Sequence, residues 1–176
     1  MTKQSLVIKN AKQILTIQED SLGIIENGTI VIKDGKIEEI SKGSKFYIPN
    51  SKFLTVDASG CVVMPGFVDC HTHLVFAGDR ANEFEMRLAG KTYQEILKAG
   101  GGIMATVRQT RKATEEELYK LAFERIERLL EWGTTTVEIK SGYGLETEQE
   151  LKILRVIKRL QEDDKITIVS TFLGAH

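Results

Sequence analysis

Two histidines separated by a single residue, His71 and His73, follow a mostly apolar run, Phe67-Val68-Asp69-Cys70. Successive side chains of a strand point to opposite faces, so on a strand the two imidazoles share one face and can grip one ion together. Asp69 falls on that face one pleat back, where a carboxylate either orients a liganding imidazole or caps backbone donors. Cys70 is sent to the opposite face and is expected to pack in the core. An ion with an open position lowers the pKa of its bound water to about 7, so the chemistry offered is metal-assisted hydrolysis. Spacing alone does not specify a metal. Position adds weight, because all three histidines, His71, His73 and His176, come just after expected parallel strands, where α/β folds place their sites.

Other residues can serve a ligand. Arg80, in Ala77-Gly78-Asp79-Arg80, can clamp a carboxylate with two parallel bonds or pair with Asp79 or Glu83. Tyr143, between Gly142 and Gly144, is placed to hydrogen-bond a ligand or to be a loop aromatic. Glu138 and Lys140 share a strand face and can form an ion pair. Gly100-Gly101-Gly102 lacks the preceding strand that a phosphate loop or dinucleotide fingerprint needs, so a nucleotide site is rejected and the glycines separate two helices.

The elements that must position these residues follow from periodicity. Short strands are expected over 6–8, 13–17, 29–33, 36–40 and 53–56, with Asp34-Gly35 as a two-residue hairpin turn. An apolar run of the kind buried on both faces covers 61–64 and 67–71. Helical spacing begins near Tyr93. Thr114 with Glu117 forms a capping box, and Leu118, Leu121, Ala122, Ile126, Leu129 and Leu130 make a stripe that ends at Gly133. A β-branched strand over 134–139, a helix with the stripe Leu151, Leu154, Ile157 and Leu160, and a strand over 166–172 complete a βαβαβ order with parallel strands. A doubly wound sheet and an incomplete barrel both fit it.

Among 176 residues, 24 Lys and Arg against 25 Asp and Glu leave no basic stripe, which argues against nucleic acid or an anionic membrane as partner. No export signal or run of membrane-spanning length is visible, and two cysteines are too few for a disulfide scaffold. A cytoplasmic protein is expected.

Met64-Pro65-Gly66-Phe67-Val68-Asp69-Cys70-His71-Thr72-His73 after a small β module resembles the amidohydrolase superfamily. The runs 71–80, 87–90, 100–103, 134–145 and 171–176 resemble, within it, the imidazolonepropionase family. The resemblance implies an α/β fold: the amino-terminal part of a TIM-like (β/α)8 metal-dependent hydrolase barrel preceded by a small β-sandwich module. That places an incomplete β module at 1–62 and the first three β/α units at 63–176. It implies hydrolysis of the cyclic amide of 4-imidazolone-5-propanoate to N-formimino-L-glutamate in histidine degradation. His71 and His73 would bind one zinc or iron ion, and Arg80, Tyr143, His176 and Tyr93 would hold the substrate. The family further requires a histidine ligand, an acidic ligand and a carboxylate base, expected beyond residue 176, and the full-length enzyme is expected to be a homodimer. The chain is therefore expected to be a fragment, inactive alone. The alternatives are an amidohydrolase for another cyclic amide or base, and a noncatalytic metal-binding fragment.

Overall fold

The computed structural model describes residues 5–18, 20–43 and 53–174. The chain divides into two compact units, Met1–Pro65 and Gly66–His176.

In the first unit, β1 (Leu6–Leu15) pairs antiparallel with β2 (Ile24–Lys33), and β2 with β3 (Lys36–Lys42). On its other side β1 runs parallel to β4 (Leu54–Asp57) and to the two-residue β5 (Val62–Val63). The two strands expected over 6–8 and 13–17 are one. The register slips between Ile8 and Ala11, where Asn10 takes φ 60°, and this bulge interrupts the alternation without ending the strand. Asp34 and Gly35 both have positive φ, 52° and 78°, the geometry of the tight turn whose twist matches a hairpin. Ala11, Ile14, Ile30 and Ala58 form its core.

The second unit is built on three parallel strands in sequence order, β6 (Phe67–Thr72), β7 (Thr134–Lys140) and β8 (Thr167–Thr171). Between β6 and β7 come α1 (Ala81–Leu88), α2 (Tyr93–Lys98), α3 (Ile103–Lys112) and α4 (Glu115–Glu131), and between β7 and β8 comes α5 (Thr147–Glu162). Helix α4 packs on β7, α5 packs on β8, and the two helices pack on each other, so both cover one face of the sheet. Three parallel strands in sequence order with their crossover helices on one face are the order of a β/α barrel wall and equally of one half of a doubly wound sheet. Leu118, Ala122, Ile126, Val137, Ile139, Ile153, Ile157 and Leu160 are fully or almost fully enclosed between these layers.

The capping box at Thr114 and Glu117 forms as expected, the hydroxyl accepting from the Glu117 amide and the carboxylate from the Thr114 amide. The stripe of α5 is shifted from the expected one. Ile153, Val156, Ile157 and Leu160 are buried, whereas Leu151 is exposed, because Glu150 occupies the inward position one turn before Ile153. Helix α1 was not expected. Ala81, Phe84 and Leu88 follow a helical period, but that stripe faces outward and the buried residue is Glu83. Cys70 is likewise a correction, being exposed rather than in the core. Among the described residues strand β6 pairs with β7 alone, and Val68, on the same face as Cys70, is exposed as well.

Candidate functional site

His71 stands on the penultimate residue of β6 and His73 just past its end. The turn that follows is held from behind. Arg125 of α4 donates to the carbonyls of Leu74 (2.7 Å) and Phe76 (2.8 Å) and lies 3.7 Å from the Phe76 ring centroid. Its burial among carbonyl acceptors pushes the guanidinium's pKa below its usual value. The Ala77 amide donates to the Thr110 hydroxyl of α3 at 3.2 Å. Asp69 takes the capping role: its carboxylate accepts the His71 amide at 3.3 Å.

The imidazoles of His71 and His73 have ring centroids 5.7 Å apart, inclined at 63°. Two imidazoles that each reach one ion through a nitrogen at about 2.1 Å have centroids about 5–6 Å apart, so the pair fits a shared ion. Among the described residues no group of three or more His, Cys, Asp and Glu side chains is arranged to hold one.

Tyr143 comes to His73 from the loop after β7, with ring centroids 5.1 Å apart, and the Phe76 ring lies 5.9 Å from Tyr143. That loop is fixed by a buried carboxylate. Glu150, at the start of α5, accepts the amides of Gly144 (2.7 Å) and Leu145 (2.8 Å). A Cβ at Gly144 would stand 2.6 Å from the Glu150 amide nitrogen, so only glycine passes there. Arg111 of α3 donates to the Gly144 carbonyl at 2.7 Å and pairs with Glu146 at 2.8 Å. Lys152 of α5 donates to the carbonyls of Thr110, Arg111 and Ala113, satisfying the end of α3. Through Thr110 and Arg111, α3 thus ties the loop after His73 to the loop carrying Tyr143.

Arg80 pairs with Glu83, Nε donating to Oε1 at 2.9 Å and Nη2 to Oε2 at 3.0 Å. The carboxylate raises the pKa of Arg80, and Arg80 in turn holds Glu83 below the usual carboxylate range against the opposing effect of burial. Arg80 also lies within electrostatic reach of the phenols of Tyr143 and of Tyr93. Tyr93 opens α2 and is exposed.

Beneath the histidines, Lys140 and Glu138 form the expected ion pair at 2.5 Å, and the Thr171 hydroxyl donates to the same Glu138 oxygen at 2.5 Å. Lys140 first, then Thr171, lowers the pKa of Glu138, and the nearby His71 acts in the same direction. The Thr72 hydroxyl donates to the Glu138 carbonyl at 2.6 Å, tying β6 to β7 beside the site. His176 lies outside the described residues.

Sequence reasoning offered Glu83 as an ion-pair partner of Arg80, and that pair forms, but it missed Arg125 and Glu150. Arg125 occupies an inward position three residues after Ala122 and one before Ile126, and Glu150 falls three before Ile153. A charged residue within an apolar stripe was the signal for both.

The sequence profile of the amidohydrolase family matches residues 54–117. The chain is 49% identical to the imidazolonepropionase of Clostridium tetani over 189 aligned positions, covering all of this chain and 45% of that protein. It spans under half the length of the curated relatives it matches. Among solved structures, a 5-methylcytosine deaminase from Klebsiella pneumoniae has a TM-score of 0.63 at 20% identity, covering 96% of this chain and 36% of that one. An atrazine chlorohydrolase from Arthrobacter aurescens, complexed with zinc, has a TM-score of 0.56 at 17% identity, covering 95% of this chain and 35% of that one. The structural likenesses show the fold: the chain shares the architecture of about a third of each of these two enzymes. Among the described residues no helix is long and apolar enough to cross a membrane.

Proposed function

We infer that this chain, similar along its whole length to part of the imidazolonepropionases, belongs to that family of amidohydrolases and carries one portion of its active site. The activity proposed is hydrolytic opening of the ring of 4-imidazolone-5-propanoate to N-formimino-L-glutamate, in the breakdown of histidine. One observation carries the reading. His71, His73 and Tyr143 meet at the carboxyl ends of adjacent parallel strands, and Arg80 lies within electrostatic reach of Tyr143.

His71 and His73 would hold one zinc or iron ion, which when bound supplies an activated water for attack on a ring carbonyl. Tyr143, its ring tilted against His73 and meeting Phe76 edge-on, is placed to hydrogen-bond the substrate. A guanidinium has five N–H groups, of which Glu83 takes two, so the far edge of Arg80 keeps a fork for the propanoate carboxylate. Tyr93 and His176 are proposed as further substrate contacts. The remaining histidine and acidic ligands and the general base belong, on this reading, to sequence outside these 176 residues. The domain reading is a β module at 1–62 followed by three β/α units at 63–176 of a closed barrel, in a cytoplasmic homodimer.

The test is to purify the intact gene product, measure bound zinc and iron, and follow loss of 4-imidazolone-5-propanoate. Metal-dependent hydrolysis with a Michaelis constant raised by Arg80→Gln is the expected result. A metal-loaded protein that leaves this substrate untouched would overturn the reading.

A further inference from the structure

We propose that Glu83, gripped by the glycine run Gly100-Gly101-Gly102, is a positioning residue that aims Arg80 at the substrate carboxylate. The inference rests on the substrate reading given above for Arg80.

Three observations meet at Glu83. The side chain is buried, with the residue 7% exposed, on a helix whose large apolar residues face outward. Burying a carboxylate is costly unless each oxygen is satisfied, so an inward Glu in place of an inward Phe or Leu has to be explained by what it holds. Both oxygens are used on Arg80, and Oε1 also accepts the amide of Gly102 at 2.9 Å. Gly102 is the residue before α3 and has no side chain to cap it, so Glu83 takes up one of the amides the helix leaves over.

The glycines are what allow this approach. A Cβ on Gly101 would stand 2.7 Å from Ile96 Cγ2, 2.9 Å from the Ile96 carbonyl oxygen and 3.0 Å from Glu83 Cδ. Gly102 has φ +76°, a conformation L side chains rarely adopt, and a Cβ there would meet Leu97 Cδ2 at 2.5 Å. The glycine run is therefore a seat for a carboxylate of this same chain. It fixes Glu83 at α3, and Glu83 fixes the Nε–Nη2 edge of Arg80, so the opposite edge has a set direction. Preorganisation of this kind strengthens recognition by removing the ordering cost of a long side chain.

The experiment is steady-state kinetics of the intact gene product on 4-imidazolone-5-propanoate for the wild type, Arg80→Gln, Glu83→Gln and the double variant. Glu83→Gln is expected to raise KM about 10-fold while kcat changes less than about threefold. In the Arg80→Gln background the same change is expected to raise KM less than about twofold, because a residue that acts through Arg80 has nothing left to aim. A Glu83→Gln enzyme with unchanged KM, or a full penalty persisting without Arg80, overturns the inference and leaves the substrate reading intact. An unchanged KM in Arg80→Gln overturns the substrate reading itself. Should Glu83→Gln not fold, Glu83→Asp, which keeps the charge but shortens the reach, is judged by the same two criteria.

Discussion

His73 and Tyr143, from the ends of different strands, stand with ring centroids 5.1 Å apart. Neither loop is free to choose that spacing. Arg125 holds the carbonyls after His73, Glu150 holds the amides after Tyr143, and α3 binds both loops through Thr110 and Arg111. The site depends on three buried or half-buried charged residues whose partners are backbone.

The first prediction concerns the metal. In the intact gene product, Ala in place of both His71 and His73 is expected to weaken metal binding at least about 100-fold, since two imidazole ligands are lost. Metal content after dialysis, read by elemental analysis, checks it. Retention of one ion per chain would count against these residues.

Arg125→Met keeps much of the side chain's length but leaves the Leu74 and Phe76 carbonyls without their donor. Hydrogen bonds to a charged group are worth about 1.5–3 kcal/mol each, partly recovered here by hydration, so a loss of about 2 kcal/mol is expected. Thermal melting should fall by about 4–8 °C. A variant that melts with the wild type would show that the turn is held by other contacts.

Glu150→Ala strands the amides of Gly144 and Leu145. The expected cost is about 2–3 kcal/mol in urea unfolding, with looser placement of Tyr143 and a raised KM. Equal KM in the two proteins would separate Tyr143's position from Glu150.

Acid should reveal the paired carboxylates. Arg80 lowers the pKa of Glu83, and Lys140 lowers that of Glu138, so in the folded chain both bind protons less tightly than at the ordinary glutamate value of about 4.3. Their stabilising contribution is complete above that value and is lost as pH falls through the depressed folded values. Urea midpoints measured between neutral pH and about pH 3 should fall less steeply for the double variant Glu83→Gln, Glu138→Gln than for the wild type. Parallel curves would show that other carboxylates govern acid unfolding.

Much of the fold was legible because local signals were consistent. The Asp34-Gly35 turn, the Thr114–Glu117 box and the β-branched run 134–139 each report a backbone state through chemistry within a few residues. Helix α1 was passed over and Cys70 misplaced for a shared reason. A periodicity argument assumes that apolar residues find cover, whereas Phe84, Leu88 and the exposed face of β6 have none among the described residues.

By itself the sequence determined that His71 and His73 are paired on one strand end, and it nominated Arg80, Tyr93 and Tyr143, since residue type and alternation are local properties. The tertiary structure alone decided that Glu83, of the partners the sequence offered, holds Arg80, that the Gly102 amide seats that carboxylate, and that both helices lie on one face of the sheet. The seating of Glu83 on the Gly102 amide and the packing of the helices join segments distant in sequence, made where packing brings the segments together and buried charges must find partners, and no local period encodes them.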